Sequence, residues 1–126
     1  MTTEVSKEEI LRHLNSWSGF EKEVTEEGEA FTVKLSNGNK SVVITTPYEV
    51  GEFFLDFLIH DKPYYSDWYE IMNDSLDEFM SYTELVAKNF LLNEVRVKQR
   101  GWWIFKVHDL EYLKKGIWIN VFSPET

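Results

Sequence analysis

The hydrophobic pattern is most regular between Ser75 and Leu92, SLDEFMSYTELVAKNFLL. At about 100° per residue, Leu76, Phe79, Met80, Thr83, Val86, Ala87, Phe90 and Leu91 fall on one stripe, and Asp77, Glu78, Ser81, Lys88 and Asn89 fall opposite. Ser75 and Glu78 form a capping box, because each side chain can reach the other's backbone amide. Glu84 and Lys88 lie one turn apart in the favoured order. Asn93 suits the stop, since asparagine tolerates the left-handed conformation that ends helices. The spacing therefore predicts one long helix over about 75–92. Leu85 and Leu92 lie on its polar side, where either a second layer of the domain or a partner would cover them.

Two further helices are predicted from their starts. Ser6-Lys7-Glu8-Glu9 is another capping box, and Ile10, Leu11, Leu14 and Trp17 follow at helical spacing, giving a helix over about 7–17 that ends at Ser18-Gly19. Thr46-Pro47-Tyr48-Glu49 reads as an N-cap with proline at the first helical position. Val50, Phe53, Phe54, Phe57 and Leu58 then fit one face, so a third helix over about 47–59 is favoured. The rival there is a strand, apolar on both faces but for Asp56.

Period-two alternation marks the strands. Phe31, Val33 and Leu35 alternate with Thr32 and Lys34. Ser36-Asn37-Gly38-Asn39 is turn chemistry, and Val42 to Thr45 returns, so this is an antiparallel hairpin. A short acidic edge strand is expected around Val24, followed by a turn at Glu27-Gly28. Val95 and Val97 alternate with Arg96 and Lys98 ahead of a turn at Gln99-Arg100-Gly101. Trp102–Val107 and Ile117–Phe122 read as further strands, joined by a connection from His108 to Lys115. In the segment His60–Met72, Asp61-Lys62-Pro63 breaks the preceding element, and the tyrosines and tryptophan that follow read as a loop, with a short strand or turn of helix as the alternative from Trp68 to Ile71. Residues 1–126 thus form a single α+β domain, in which an antiparallel sheet packs against the long helix.

Composition narrows the function. The net charge is −9, which repels phosphate backbones and anionic membranes and attracts basic proteins. Nucleic acid and membrane are therefore not expected partners. There is no cysteine, so disulfides, thiolate metal sites and cysteine catalysis are excluded. The N-terminus lacks the apolar core of a signal peptide, and no run of about 20 apolar residues is present, so a cytoplasmic chain is expected. Aromatic residues make up 16% of the chain, with five tryptophans, and large rings anchor binding surfaces as well as cores.

No nucleophile elbow, phosphate loop, dinucleotide fingerprint, calcium loop or zinc-protease motif is present. The dipeptides His60-Asp61 and His108-Asp109 would make a metal or acid–base site only if the fold joined them. Asp67 with Glu70, and Asp74 with Asp77, are the available carboxylate pairs. Arg96, Lys98, Arg100 and Lys106 form a basic cluster suited to balancing acids on neighbouring strands. Trp102, Trp103 and Trp118 would line a pocket if the chain bound a small ligand.

The stretch best suited to touching another molecule is HDKPYYSDWYEIM, since rings with polar tips bury area at small entropic cost. Tyr64, Tyr65, Asp67, Trp68 and Glu70 are its expected contact residues. No cofactor or metal is expected. A small, acidic, tryptophan-rich, cysteine-free α+β chain has the composition of a binding partner, a general profile shared by bacterial immunity proteins. The functional expectation is a non-enzymatic domain that occludes a basic protein. A small-ligand binder, and a hydrolase or metal enzyme built on His60 and His108, are the alternatives.

Overall fold

The computed structural model describes residues 7–27, 30–47, 52–70, 76–100 and 107–122. The elements run α1 (Lys7–Ser16), β1 (Glu21–Glu27), β2 (Ala30–Asn37), β3 (Lys40–Pro47), β4 (Glu52–Ile59), β5 (Lys62–Glu70), α2 (Leu76–Leu91), β6 (Val95–Arg100), β7 (Val107–Lys114) and β8 (Ile117–Asn120). All strand pairs are antiparallel. The fold class is α+β, and the long helix packs on a sheet as expected.

The expected single sheet is in fact two. Strands β1 to β5 form a meander in chain order, and β6, β7 and β8 form a separate three-stranded sheet. The reason lies in α2, which touches β2 and β3 of the large sheet and β7 of the small one. Phe79, Met80, Thr83, Val86, Ala87, Phe90 and Leu91 are buried as the stripe predicts. Asn89, expected on the solvent side, is buried too, and its Nδ2 donates to the Val121 carbonyl at 3.2 Å. The small sheet and the turn after it cover this second side. Leu85 is half-buried, whereas Leu92 stays 44% exposed.

The inner face of the large sheet explains the core. Leu35, Val42, Phe57 and Tyr65 stand in one row across four strands, and Val33, Ile44, Leu55 and Asp67 in the next. The six aliphatic and phenylalanine side chains of these rows are at most 2% exposed. Phe53 meets Phe79 of α2 at 4.2 Å between centroids, and Phe57 meets Phe90 edge-on at 5.3 Å. Aromatic pairs of this geometry add about 0.5–1.5 kcal/mol to their area burial.

The third helix expected over 47–59 is not formed. Pro47 ends β3, residues 48–51 lie outside the described residues, and Glu52–Ile59 is a strand. Phe53, Leu55 and Phe57 are buried while Phe54 is exposed and Asp56 half-buried, a period of two. A strand flanked on both sides by others gains ladder hydrogen bonds that local capping signals cannot match. The loop expected over 60–72 is also corrected, because Lys62–Glu70 is strand β5. The break falls at His60-Asp61, whose φ angles of 52° and 63° make a tight hairpin turn without glycine. The connection expected over 108–115 is strand β7, with Leu110 and Tyr112 buried on one face. Gln99 and Arg100, expected in a turn, belong to β6.

Both helices are closed at their C-terminal ends by lysines of the sheet. Lys22 Nζ donates to the Leu14 and Trp17 carbonyls of the α1 end at 2.7 and 2.5 Å. Lys40 Nζ donates to Phe90 O at 2.8 Å and to Asn93 O, and Asn37 Nδ2 donates to Leu91 O at 2.8 Å. Burial pushes the Lys40 amine below its usual pKa. Asn93 ends α2 through its side chain, with Nδ2 donating to Asn89 O at 3.1 Å, and not through a left-handed φ. The N-terminal capping boxes at Ser6 and Ser75 begin outside the described residues.

Candidate partner-binding site

Strand β5 places all five expected contact residues, and its pleat divides them. Alternate residues of a strand point to opposite faces. Tyr65 and Asp67 share the inner-face rows with Phe57 and Leu55. The Tyr65 ring rests on Phe122 at 4.4 Å and edge-on to Phe57 at 6.2 Å. Burial first, and then the charges of Asp67, Tyr82 and Asp109, push its phenol pKa up. Tyr65 and Asp67 are therefore half-buried where the two sheets meet, and not on one open surface with the rest.

Trp68 and Glu70 occupy the other face by register, beside Phe54 and Glu52, and the side chains of both lie outside the described residues. Tyr64 falls at the β-bulge between Phe57 and Leu58, half-buried, with Lys62 Nζ 5.1 Å above its ring. The strand thus brings Trp68 and Glu70 together but separates them from Tyr65 and Asp67.

The outer face has its own order. Thr25, Thr32, Thr45, Phe54 and Trp68 form one row across the five strands. Glu23, Lys34, Val43, Asp56 and Ser66 form the next. Phe54 is 39% exposed, Thr45 opposite it and Val43 in the next row are half-buried, and Leu58, also half-buried, lies beyond Asp56 on the same strand face. Asp56 accepts from Ser66 Oγ at 2.5 Å, which holds the carboxylate within this face. Glu52 continues the acidic margin at one end of β4. Lys34 is the base of these two rows, and its Nζ lies 3.9 Å from the exposed Asp61 carboxylate. The arrangement is an apolar centre on a solvent-facing sheet with carboxylates beside it, which suits a protein surface of opposite charge.

Phe54 and Leu58 escape the sequence reading because their segment is expected to be a helix, whereas Val43 falls in the expected hairpin strand without being singled out. The alternation of Phe54, Asp56 and Leu58 against Phe53, Leu55 and Phe57 was the signal that would have found Phe54 and Leu58.

The other candidate residues are dispersed. His60 sits exposed on its hairpin turn, with Nε2 3.1 Å from Asn39 Nδ2, while His108 lies in β7 opposite Gln99. The two dipeptides thus belong to different sheets. Asp67 and Glu70 fall on opposite faces by register. Asp74 lies outside the described residues, and Asp77 Oδ1 accepts from His13 Nε2 at 2.7 Å, tying α1 to α2. Arg96 donates to Glu111 at 2.8 Å and stacks over Trp118 at 4.3 Å, the cross-strand balancing that the basic cluster suggested. Trp102, Trp103 and Lys106 lie outside the described residues.

Among the described residues, no three histidine, aspartate or glutamate side chains are grouped to hold a metal ion. An open cleft of about 270 Å³ is walled by Lys40, Glu94 and Ile59, but the Lys40 amine is spent on the α2 carbonyls. No helix among the described residues is long and apolar enough to cross a membrane. Comparisons with protein-family models, with curated proteins and with solved structures found no match, so the functional assignment rests on the geometry above.

Proposed function

We propose that this chain is a non-enzymatic protein-binding domain that receives a basic partner on the outer face of β3, β4 and β5. Its most concrete form is a toxin-neutralising protein of the immunity type. The observation that carries the reading is Phe54, a phenylalanine held 39% exposed on the solvent face of a well-packed sheet, with Asp56 and Glu52 on the same strand face. Its neighbours Phe53, Leu55 and Phe57 fill the core, so Phe54 adds nothing to that layer. A net charge of −9 draws a cationic protein from a distance, and an aromatic centre then supplies the short-range contact.

Of the five residues read from the sequence, Trp68 and Glu70 remain contact residues under this proposal. Tyr64 stands at the margin. Tyr65 and Asp67 support the face from behind.

The test is to isolate a partner from the source cell and to measure its affinity by calorimetry for the wild type, Phe54→Asp and Tyr65→Phe. Phe54→Asp is expected to weaken binding at least tenfold, the range of a central anchor, in a chain whose circular dichroism shows the fold retained. Tyr65→Phe is expected to leave affinity unchanged. A partner that is acidic, or one bound equally well by Phe54→Asp, would sink the proposal.

A further inference from the structure

The hairpin turn between β2 and β3 carries a chemical weakness that bears on the end of α2. Asn37-Gly38 is the one asparagine–glycine step in the chain. The side-chain amide of an asparagine is attacked most readily by the next backbone nitrogen when glycine follows, because no Cβ obstructs the approach. Gly38 lies beyond Asn37–Lys40, the last pair of the ladder, at a φ of +63°. Asn37 and Gly38 are both exposed. Among the described residues, no heavy atom comes within 4 Å of where a Cβ on Gly38 would sit, so water and base reach the turn.

The amide at risk is already in use. The carbonyls that end an α-helix lack partners within it. Here those of Asn89, Phe90 and Leu91 are met by Asn93 Nδ2, Lys40 Nζ and Asn37 Nδ2. The nitrogen that donates to Leu91 O at 2.8 Å is therefore the one that deamidation expels. The fold also restrains the reaction. Ring closure requires the Gly38 nitrogen to swing to the Cβ side of Asn37. The extended strand, the Asn37–Lys40 pair and the bond to Leu91 all oppose that swing.

We propose that Asn37 is a deamidation site, guarded by its bond to α2 and converted only while that bond is open. In the first step the Gly38 amide gives its proton to solvent base and its nitrogen bonds to Asn37 Cγ. The Cγ–Nδ2 bond breaks and ammonia leaves, which closes a succinimide ring. Water then adds to one of the two ring carbonyls and the C–N bond there opens, leaving aspartate or isoaspartate at position 37. The net change converts an amide and water into a carboxylate and ammonium. The product lacks the donor and sets a negative charge against Leu91 O, at the negative end of the α2 dipole. Lys40, the register partner of position 37, is then shared between the new carboxylate and the carbonyls of Phe90 and Asn93. This site does not depend on the Phe54 face.

The experiment holds the whole chain at mildly alkaline pH, folded and in guanidinium chloride, and maps it by proteolysis and mass spectrometry. The folded chain is expected to convert at position 37 before any other asparagine, and the unfolded chain to do so at least about tenfold faster. The product of the folded chain is then separated by ion exchange, and its amide hydrogen exchange is compared with that of the untreated protein. The amides of Phe90, Leu91 and Leu92 are expected to exchange roughly two- to tenfold faster, the effect of one lost hydrogen bond, and those around Phe54 at an unchanged rate. Asn37→Asp is expected to reproduce the change. A folded chain that converts first elsewhere or not at all, equal rates in the two states, or an unaltered α2 end in the product would each overturn the proposal. The aged wild type carries no substitution, so a variant that fails to fold does not decide the result.

Discussion

Gly19 holds the turn between α1 and β1, and replacing it with alanine probes two costs at once. Its φ is +101°, a conformation that side chains disfavour, and a Cβ there would lie 3.2 Å from Leu92 Cδ2 and 3.3 Å from Cδ1. Holding alanine at such a φ costs about 1–3 kcal/mol. The alanine also stiffens the unfolded chain, which returns about 0.4–1 kcal/mol. The crowding term is smaller, since Leu92 is 44% exposed and its methyls can turn toward water. The net expectation for Gly19→Ala is a loss of about 1–2 kcal/mol. In a domain of this size that is a fall of roughly 3–10 °C in melting temperature.

Urea denaturation of the wild type, Gly19→Ala, Leu92→Ala and the double variant separates the terms. Most of the loss is expected to persist in the Leu92→Ala background, because the backbone cost does not involve that side chain. A coupling energy under about 0.5 kcal/mol is therefore expected. If Gly19→Ala is as stable as the wild type, the backbone argument is wrong. If its loss vanishes with Leu92→Ala, the contact and not the φ angle is the cause.

Three further outcomes follow from particular groups. Thr83 Oγ1 is buried in α2 with no hydrogen-bond partner, so Thr83→Val should raise the unfolding free energy by up to about 1–2 kcal/mol in urea melts. The Tyr65 phenol has a raised pKa, so it favours the fold fully below the unfolded value of about 10 and loses that contribution as pH rises through the folded pKa. Tyr65→Phe should therefore flatten the alkaline fall in the urea midpoint above pH 10, and an unchanged slope would refute this. Asp61 occupies the second left-handed position of the β4–β5 turn, and Asp61→Gly should stabilise by about 0.5–1 kcal/mol because glycine takes that conformation freely. Its pair with Lys34, 3.9 Å apart and exposed on both sides, gives little to lose.

The elements that were legible in the sequence are those whose partners differ in polarity. Val33 and Leu35 alternate with Thr32 and Lys34 because one face of the strand meets the core and the other meets water. α2 was legible for the same reason, and Asn89 was misplaced because a second sheet covers what a single helical stripe leaves polar. β4 was obscured by Phe54 and Leu58 on its outer face, which made its pattern fit a buried helix equally well. Thr46-Pro47-Tyr48-Glu49 then tipped the reading with a local signal, although long-range pairing decided the outcome. β5 was hidden by Pro63 and by a turn built from histidine and aspartate instead of glycine. The aromatic stretch was found, but its face assignment needed the strand, since a loop imposes no alternation on Tyr65 and Trp68.

The lysine caps bear on how the molecule assembles. The final carbonyls of α2 are met by Lys40 and Asn37, residues 50 and 54 positions earlier in the chain, and those of α1 by Lys22. The last turn of α2 gains these partners only once the meander has formed, whereas Lys22 lies eight and five positions from the carbonyls it meets at the end of α1. An isolated peptide of Leu76–Asn93 should consequently fray from its C-terminal end, and loss of the helical and sheet signals on heating should coincide as one transition.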